Sequence, residues 1–155
     1  FLMHLEIDYP GAETELAVLK LTRNESLNSA PVIPPNLTQE DIFKARKSVL
    51  GIHLDESLER YLVELIIATR QPQKYSEQLA SWIEFGASPR ATIALDKCAR
   101  AHAWLMGRDF VGPDNIHAVF HNVLRHRLLL SYEAEAEGVS SNQVLDSILQ
   151  LVPVP

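Results

Sequence analysis

Residues 86–107 read GASPRATIALDKCARAHAWLMG, from Gly86 to Gly107, and this stretch decides the fold. Ser88 is a preferred N-cap residue. Pro89 suits the first helical position, where its missing N–H would have no intrahelical partner anyway. Ala91, Ala94, Cys98, Ala101 and Leu105 then recur at helical spacing. They form a stripe of mostly small side chains, against which another helix can approach closely. The helix is predicted to run to Met106 and to close at Gly107.

Working outward toward the C-terminus, Gly112-Pro113 opens a second helix with Ile116, Val119, Phe120, Val123 and Leu124 on its inner face. Glu133 to Gly138 reads as an acidic connector. A last short helix from about Ser141 carries Val144, Leu145, Ile148 and Leu149 and stops before Pro153. Toward the N-terminus, residues 72–87 read as a loop of middling polarity holding Trp82, Ile83 and Phe85, long enough to be functional or to dock on something. Asp55 or Ser57 starts the helix before it, with Leu58, Tyr61, Leu62, Leu65, Ile66 and Thr69 in the i, i+3, i+4 rhythm, and Gln71-Pro72-Gln73 ends it. Thr38 starts another helix, with Asp41 at the reciprocal capping-box position. Ile42, Ala45 and Val49 should face inward there, and Gly51 stops it.

Asn28 to Leu37 holds Pro31, Pro34 and Pro35 and should be an extended linker. Residues 12 to about 26 read as a helix with Leu16 and Leu19 on one face. At the start, Leu5 and Ile7 alternate with His4, Glu6 and Asp8, the period of a short strand. A lone strand cannot satisfy its backbone groups. It therefore reads as the last strand of a sheet whose other strands lie upstream of Phe1. The expected architecture is all-α: a helical bundle of about five to six helices with a residual N-terminal strand. No internal repeat is visible.

Composition narrows the function. A chain of 155 residues suits one domain, or one domain plus a piece of a neighbour. At that size roughly 68–70% of the unfolded chain's surface can be buried. Apolar residues at 46% and charged residues at 22% exclude wholesale disorder. Fourteen basic against twenty acidic side chains give a net charge of −6, which argues against nucleic-acid binding. That includes a helix-turn-helix on the helices at 89–106 and 113–127. No apolar run approaches the roughly 20 residues that span a bilayer, so no membrane role is expected. The start has no signal-peptide pattern. The single cysteine, Cys98, cannot form an internal disulfide and fits a reducing, cytoplasmic setting.

Arg90 is the sharpest chemical signal. A cation in the first turn of a helix opposes the dipole, which favours negative charge at that end. An anion in front of the turn would remove the conflict. It could meet free backbone N–H groups, the positive end of the dipole and a guanidinium fork together, and a terminal phosphate suits that geometry. The competing reading is a surface arginine paired with a carboxylate. Cys98 and His102, and likewise His117 and His121, are spaced i, i+4, so two helices could bring four zinc ligands together. The blander reading is a small core cysteine and half-exposed histidines, and no metal site is predicted. Arg125-His126-Arg127 reads as a cation-rich last helical turn, or as a basic patch for phosphate or an acidic partner. Trp82 and Phe85 pack either within the bundle or on another domain.

The segment Gly86-Ala87-Ser88-Pro89-Arg90-Ala91 resembles the sensor-2 segment of the MoxR family of AAA+ ATPases. Phe1-Leu2-Met3 and Ile7-Asp8-Tyr9-Pro10 resemble the final strand of the ATPase core, and Ala68-Thr69-Arg70 the end of the first lid helix. Further matches are Ala99-Arg100-Ala101-His102-Ala103, Gly107-Arg108-Asp109-Phe110-Val111, Pro113-Asp114-Asn115-Ile116, Val123-Leu124-Arg125-His126-Arg127 and Val152-Pro153-Val154-Pro155. The resemblance covers nearly the whole chain.

It implies that residues 1–37 end the ATPase core and connect it, and that residues 38–155 form a helical lid. Carried over by position, the sensor-2 arginine is Arg90, beside Ser88, reaching the terminal phosphate of ATP bound with magnesium by the core. The resemblance also implies a chaperone-like remodelling or complex-assembly ATPase. Its partners would be the core domain in cis, neighbouring subunits of a homo-oligomeric ring and a protein with a von Willebrand A domain. No G-x-x-x-x-G-K-[ST] or acidic Walker-B strand occurs in these residues, so the chain alone is not expected to hydrolyse ATP. The alternative is a stand-alone helical protein-interaction module without a nucleotide role.

Overall fold

The computed structural model describes residues 1–27 and 36–155. The proline-rich linker expected over 28–37 lies, for residues 28–35, outside the described residues. The described chain runs α1 (Ala12–Leu27), α2 (Gln39–Leu50), α3 (Glu56–Arg70), a 3₁₀ turn (Pro72–Lys74), α4 (Glu77–Trp82), β1 (Ile83–Phe85), α5 (Pro89–Leu105), α6 (Pro113–Leu124), β2 (Leu129–Leu130), α7 (Tyr132–Ala136) and α8 (Ser141–Leu151). The molecule is mostly helical, as its periodicity requires.

Local chemistry sets the helix starts. Thr38 and Asp41 form a reciprocal box: the Thr38 N–H donates to Asp41 Oδ2 at 2.9 Å, and the Asp41 N–H donates to Thr38 Oγ1 at 3.2 Å. The Thr38 hydroxyl also donates to Asp41 Oδ2 at 2.6 Å, and this bond first, with that from the Thr38 N–H second, holds the Asp41 carboxyl below its ordinary range. Asp55 caps α3 by accepting the Ser57 N–H at 2.9 Å. Ser140 and Gln143 repeat the box at α8. Gly107, at φ 71°, ends α5 in the left-handed region that other residues avoid.

The core is one cluster. α5 packs most extensively on α6, and α3 and α8 close around them. Leu62, Leu65, Ile66, Leu79, Leu95, Ile116, Phe120, Leu124, Leu145 and Ile148 are its largest fully buried side chains. Ala91, Ala94, Leu95, Cys98, Ala99 and Ala103 form the buried face of α5, so the helices meet over mostly small residues; of the expected stripe, Ala101 is only half-buried and Leu105 is exposed. The inner faces expected for α3, α6 and α8 are those observed, except that Leu149 is only half-buried.

Several local expectations change. Residues 1–10 form no strand, because no strand lies beside them among the described residues; instead the His4 N–H donates to the Asn122 carbonyl at 2.7 Å. The two-stranded pairing lies elsewhere: β1 runs antiparallel to β2, with Ile83 opposite Leu130 and Phe85 opposite Leu129. Residues 72–87 are not a loop but hold the 3₁₀ turn, α4 and β1. Ser76 caps α4, and Leu79 anchors it in the core. The acidic connector contains α7, capped by Ser131, with Ala134 buried. Ile42 is exposed, while Ala45 and Val49 are half-buried against α5. No residue of α1 is buried, so Leu16 and Leu19 cover nothing among the described residues.

Candidate functional site

The N-terminal turn of α5 is held from outside. Five other helices have a capping side chain on the first turn, from Thr38, Asp55, Ser76, Ser131 and Ser140, while α6 begins at Gly112, which has none to give. Ser88 stands at the cap position of α5, but its side chain makes no capping bond; the Ala91 N–H is taken by the Ser88 carbonyl at 2.8 Å. The grip comes from the end of α3. Buried Thr69 accepts the Ala87 N–H on its hydroxyl at 2.9 Å, and Arg70 donates from Nε to the Ala87 carbonyl at 2.6 Å. Just before, Gly86 passes so near α3 that an added Cβ would collide with the Thr69 carbonyl and lie 2.8 Å from the Arg70 Cα. Only glycine allows that approach.

Arg90 therefore starts from a fixed backbone and ends in solvent. It is exposed, and neither its guanidinium nor its N–H has a hydrogen-bond or ion-pair partner among the described residues. α5 has no acidic residue in its first turn, whereas α2, α3, α4 and α6 all do. Among the described residues, no carboxylate pairs with Arg90. The first turn of this seventeen-residue helix thus carries an exposed cation and an N–H with no partner among the described residues, at the end where the helix dipole is positive. Ser88 is exposed beside them.

The four thiol and imidazole groups do not assemble. His102 pairs with buried Asn115 at 3.1 Å, His117 with the Tyr61 hydroxyl at 2.8 Å, and His121 with Asp146 at 2.9 Å. Cys98 is buried, and burial pushes its thiol up. Among the described residues, no group of three or more His, Cys, Asp or Glu could hold a metal ion. These histidines tie α5 to α6, α3 to α6 and α6 to α8. Trp82 is half-buried and donates to Glu137 at 3.1 Å, while Phe85 is exposed.

Sequence reading missed the role of Arg125-His126-Arg127. Helix α6 ends at Leu124, and the cluster turns back to hold residues 1–6. Arg125 pairs with Glu6 at 3.2 Å, His126 packs edge-on against His4, and Arg127 reaches the Phe1 carbonyl at 2.7 Å. It also missed Thr69 and Arg70 as the seat of the α5 turn. A threonine at the end of an apolar helical face and a glycine seventeen positions later signal a contact only once the fold brings them together.

A family model described as an AAA lid domain matches residues 79–148, from within α4 to within α8. The helical body that carries Arg90 is therefore the lid domain of an AAA ATPase. The full chain is 33% identical over 160 residues to the chaperone MoxR1 of Mycobacterium tuberculosis, covering 40% of that protein. It is 34% identical over 155 residues to the uncharacterised protein YeaC of Bacillus subtilis, covering 45% of it. A crystal structure from Cytophaga hutchinsonii, provisionally assigned as an ATPase, superposes over the whole chain with a TM-score of 0.92 at 37% identity, the match covering 47% of that protein. The chain belongs to the MoxR family of AAA+ ATPases. It spans less than half the length of these relatives.

Proposed function

We propose that this lid closes over ATP held by the ATPase core of the same protein, and that Arg90, with Ser88 beside it, meets the terminal phosphate. One observation carries the reading: Arg90 is an exposed cation on the first turn of α5, with no partner among the described residues. Phosphoryl transfer asks the protein mainly for positioning and charge stabilisation. The guanidinium fork supplies two donors to phosphate oxygens, and the helix start adds N–H donors and a favourable dipole. Loss of the phosphate after hydrolysis removes that anchor and frees the lid, so lid position follows nucleotide state.

In this reading residues 1–37 end the core and connect it, and residues 38–155 are the lid. Magnesium, which neutralises charge on the phosphates, would be held with ATP by the core. The intact protein would act as a cytoplasmic, chaperone-like remodeller in a homo-oligomeric ring, with a von Willebrand A domain protein as partner. The test is Arg90→Ala in the full-length protein. ATP turnover should fall by roughly a hundredfold, the usual cost of removing one charge-stabilising donor, with the melting temperature unchanged. Unaltered turnover would remove Arg90 from the mechanism.

A further inference from the structure

The start of α5 takes its aim from α3 rather than from its own cap. The Thr69 hydroxyl is fully buried and uses both of its hydrogen-bonding roles: it donates to the Ile66 carbonyl at 2.7 Å and accepts the Ala87 N–H at 2.9 Å. Arg70 takes the other end of the same residue through the Ala87 carbonyl at 2.6 Å. Ala87 is itself fully buried, and Gly86 is in contact with the α3 backbone. Pro89 then fixes its own φ, so little backbone freedom remains before Arg90. Meanwhile Ser88 spends no side-chain bond on the cap.

We propose that Thr69 and Arg70 are positioning residues for Arg90, holding the α5 turn so that its guanidinium meets the phosphate at a fixed angle. This rests on the reading of Arg90 given above. A hydroxyl is required at position 69 because the site needs a donor and an acceptor on one small group. Valine has the shape but leaves the Ala87 N–H buried without a partner. A displaced turn would move the guanidinium by a distance that matters to a charge-assisted bond.

The experiment uses the full-length protein with magnesium present and reads the ratio of its affinities for ATP and ADP, together with the melting temperature. Thr69→Val should lower the preference for ATP roughly tenfold, the scale of one weakened charge-assisted bond. Thr69→Ser should keep it. In an Arg90→Ala background, Thr69→Val should lower it no further, because the residue acts through Arg90. Should Thr69→Val fail to fold, Arg70→Met, which removes the donor to the Ala87 carbonyl at an exposed side chain, reads the same ratio with the same expected loss. A lowered preference in Arg90→Ala but a wild-type preference in Thr69→Val and Arg70→Met would overturn the positioning role and leave the phosphate contact standing. An equal loss from Thr69→Val in both backgrounds would also overturn it. An unchanged preference in Arg90→Ala would remove the phosphate contact, and this inference with it.

Discussion

Arg127 donates from its guanidinium to the carbonyl of Phe1 at 2.7 Å, joining positions 126 residues apart. The same side chain is braced by its Nε on the Val123 carbonyl at 2.8 Å. With the Arg125–Glu6 pair and the His4 amide on Asn122, it holds the N-terminal segment against the end of α6. The backbone carbonyls that a strand partner would have satisfied are met instead by a guanidinium.

Arg127→Ala should therefore loosen residues 1–6 while sparing the core. The His4 amide, bonded to Asn122, is the reporter. Its hydrogen exchange should quicken roughly tenfold, as expected for losing a bond of order 1 kcal/mol, with α5 amides unaffected. Identical His4 exchange in the two proteins would show that the guanidinium clamp contributes nothing.

Gly86→Ala tests the close approach of the α5 turn to α3. The new methyl would meet the Thr69 carbonyl, which cannot give way without moving the end of α3. Denaturant unfolding should show a loss of about 1–3 kcal/mol, the usual cost of overpacking, as a lower midpoint with an unchanged slope. A wild-type midpoint would mean that the segment is freer than its contacts state.

Burial depresses the His117 pKa below its ordinary value of 6.5, and the Asp114 carboxylate only partly opposes it. The unfolded chain then binds the proton more readily than the fold does. The stability that neutral His117 contributes is complete above 6.5 and declines as pH falls through the lower, folded value. His126 is shifted in the same direction, first by burial and then by Arg127. Melting temperature followed from about pH 7.5 down to about 5 should fall, and His117→Gln should flatten that fall without abolishing it. A His117→Gln curve parallel to the wild type would assign the acid sensitivity elsewhere.

What could be read from the sequence was what is local and long. α3, α5 and α6 run over three or more turns, so the inner faces of α3 and α6 and the buried stripe along most of α5 stood out by period, and Thr38, Asp55 and Ser88 marked starts that the structure keeps. The six-residue α4 and five-residue α7 are too short for a period to show. β1 and β2 pair across more than forty positions, and neither carries enough residues to alternate. The N-terminal segment alternated convincingly, yet among the described residues no strand lies beside it. At the candidate site, Arg90 was visible because it breaks a local rule. Thr69, Arg70 and Gly86 obey every local rule, and their work is done between elements.

The sixteen residues of α1 bury nothing among the described residues, and Leu16, Val18, Leu19 and Leu21 are exposed. That is close to the shortest length at which a solitary peptide helix persists. A solution of this chain would thus behave as a sturdy body bearing a greasy arm: heat resistance would be governed by the body, and clumping, shelf life and response to detergent by the arm.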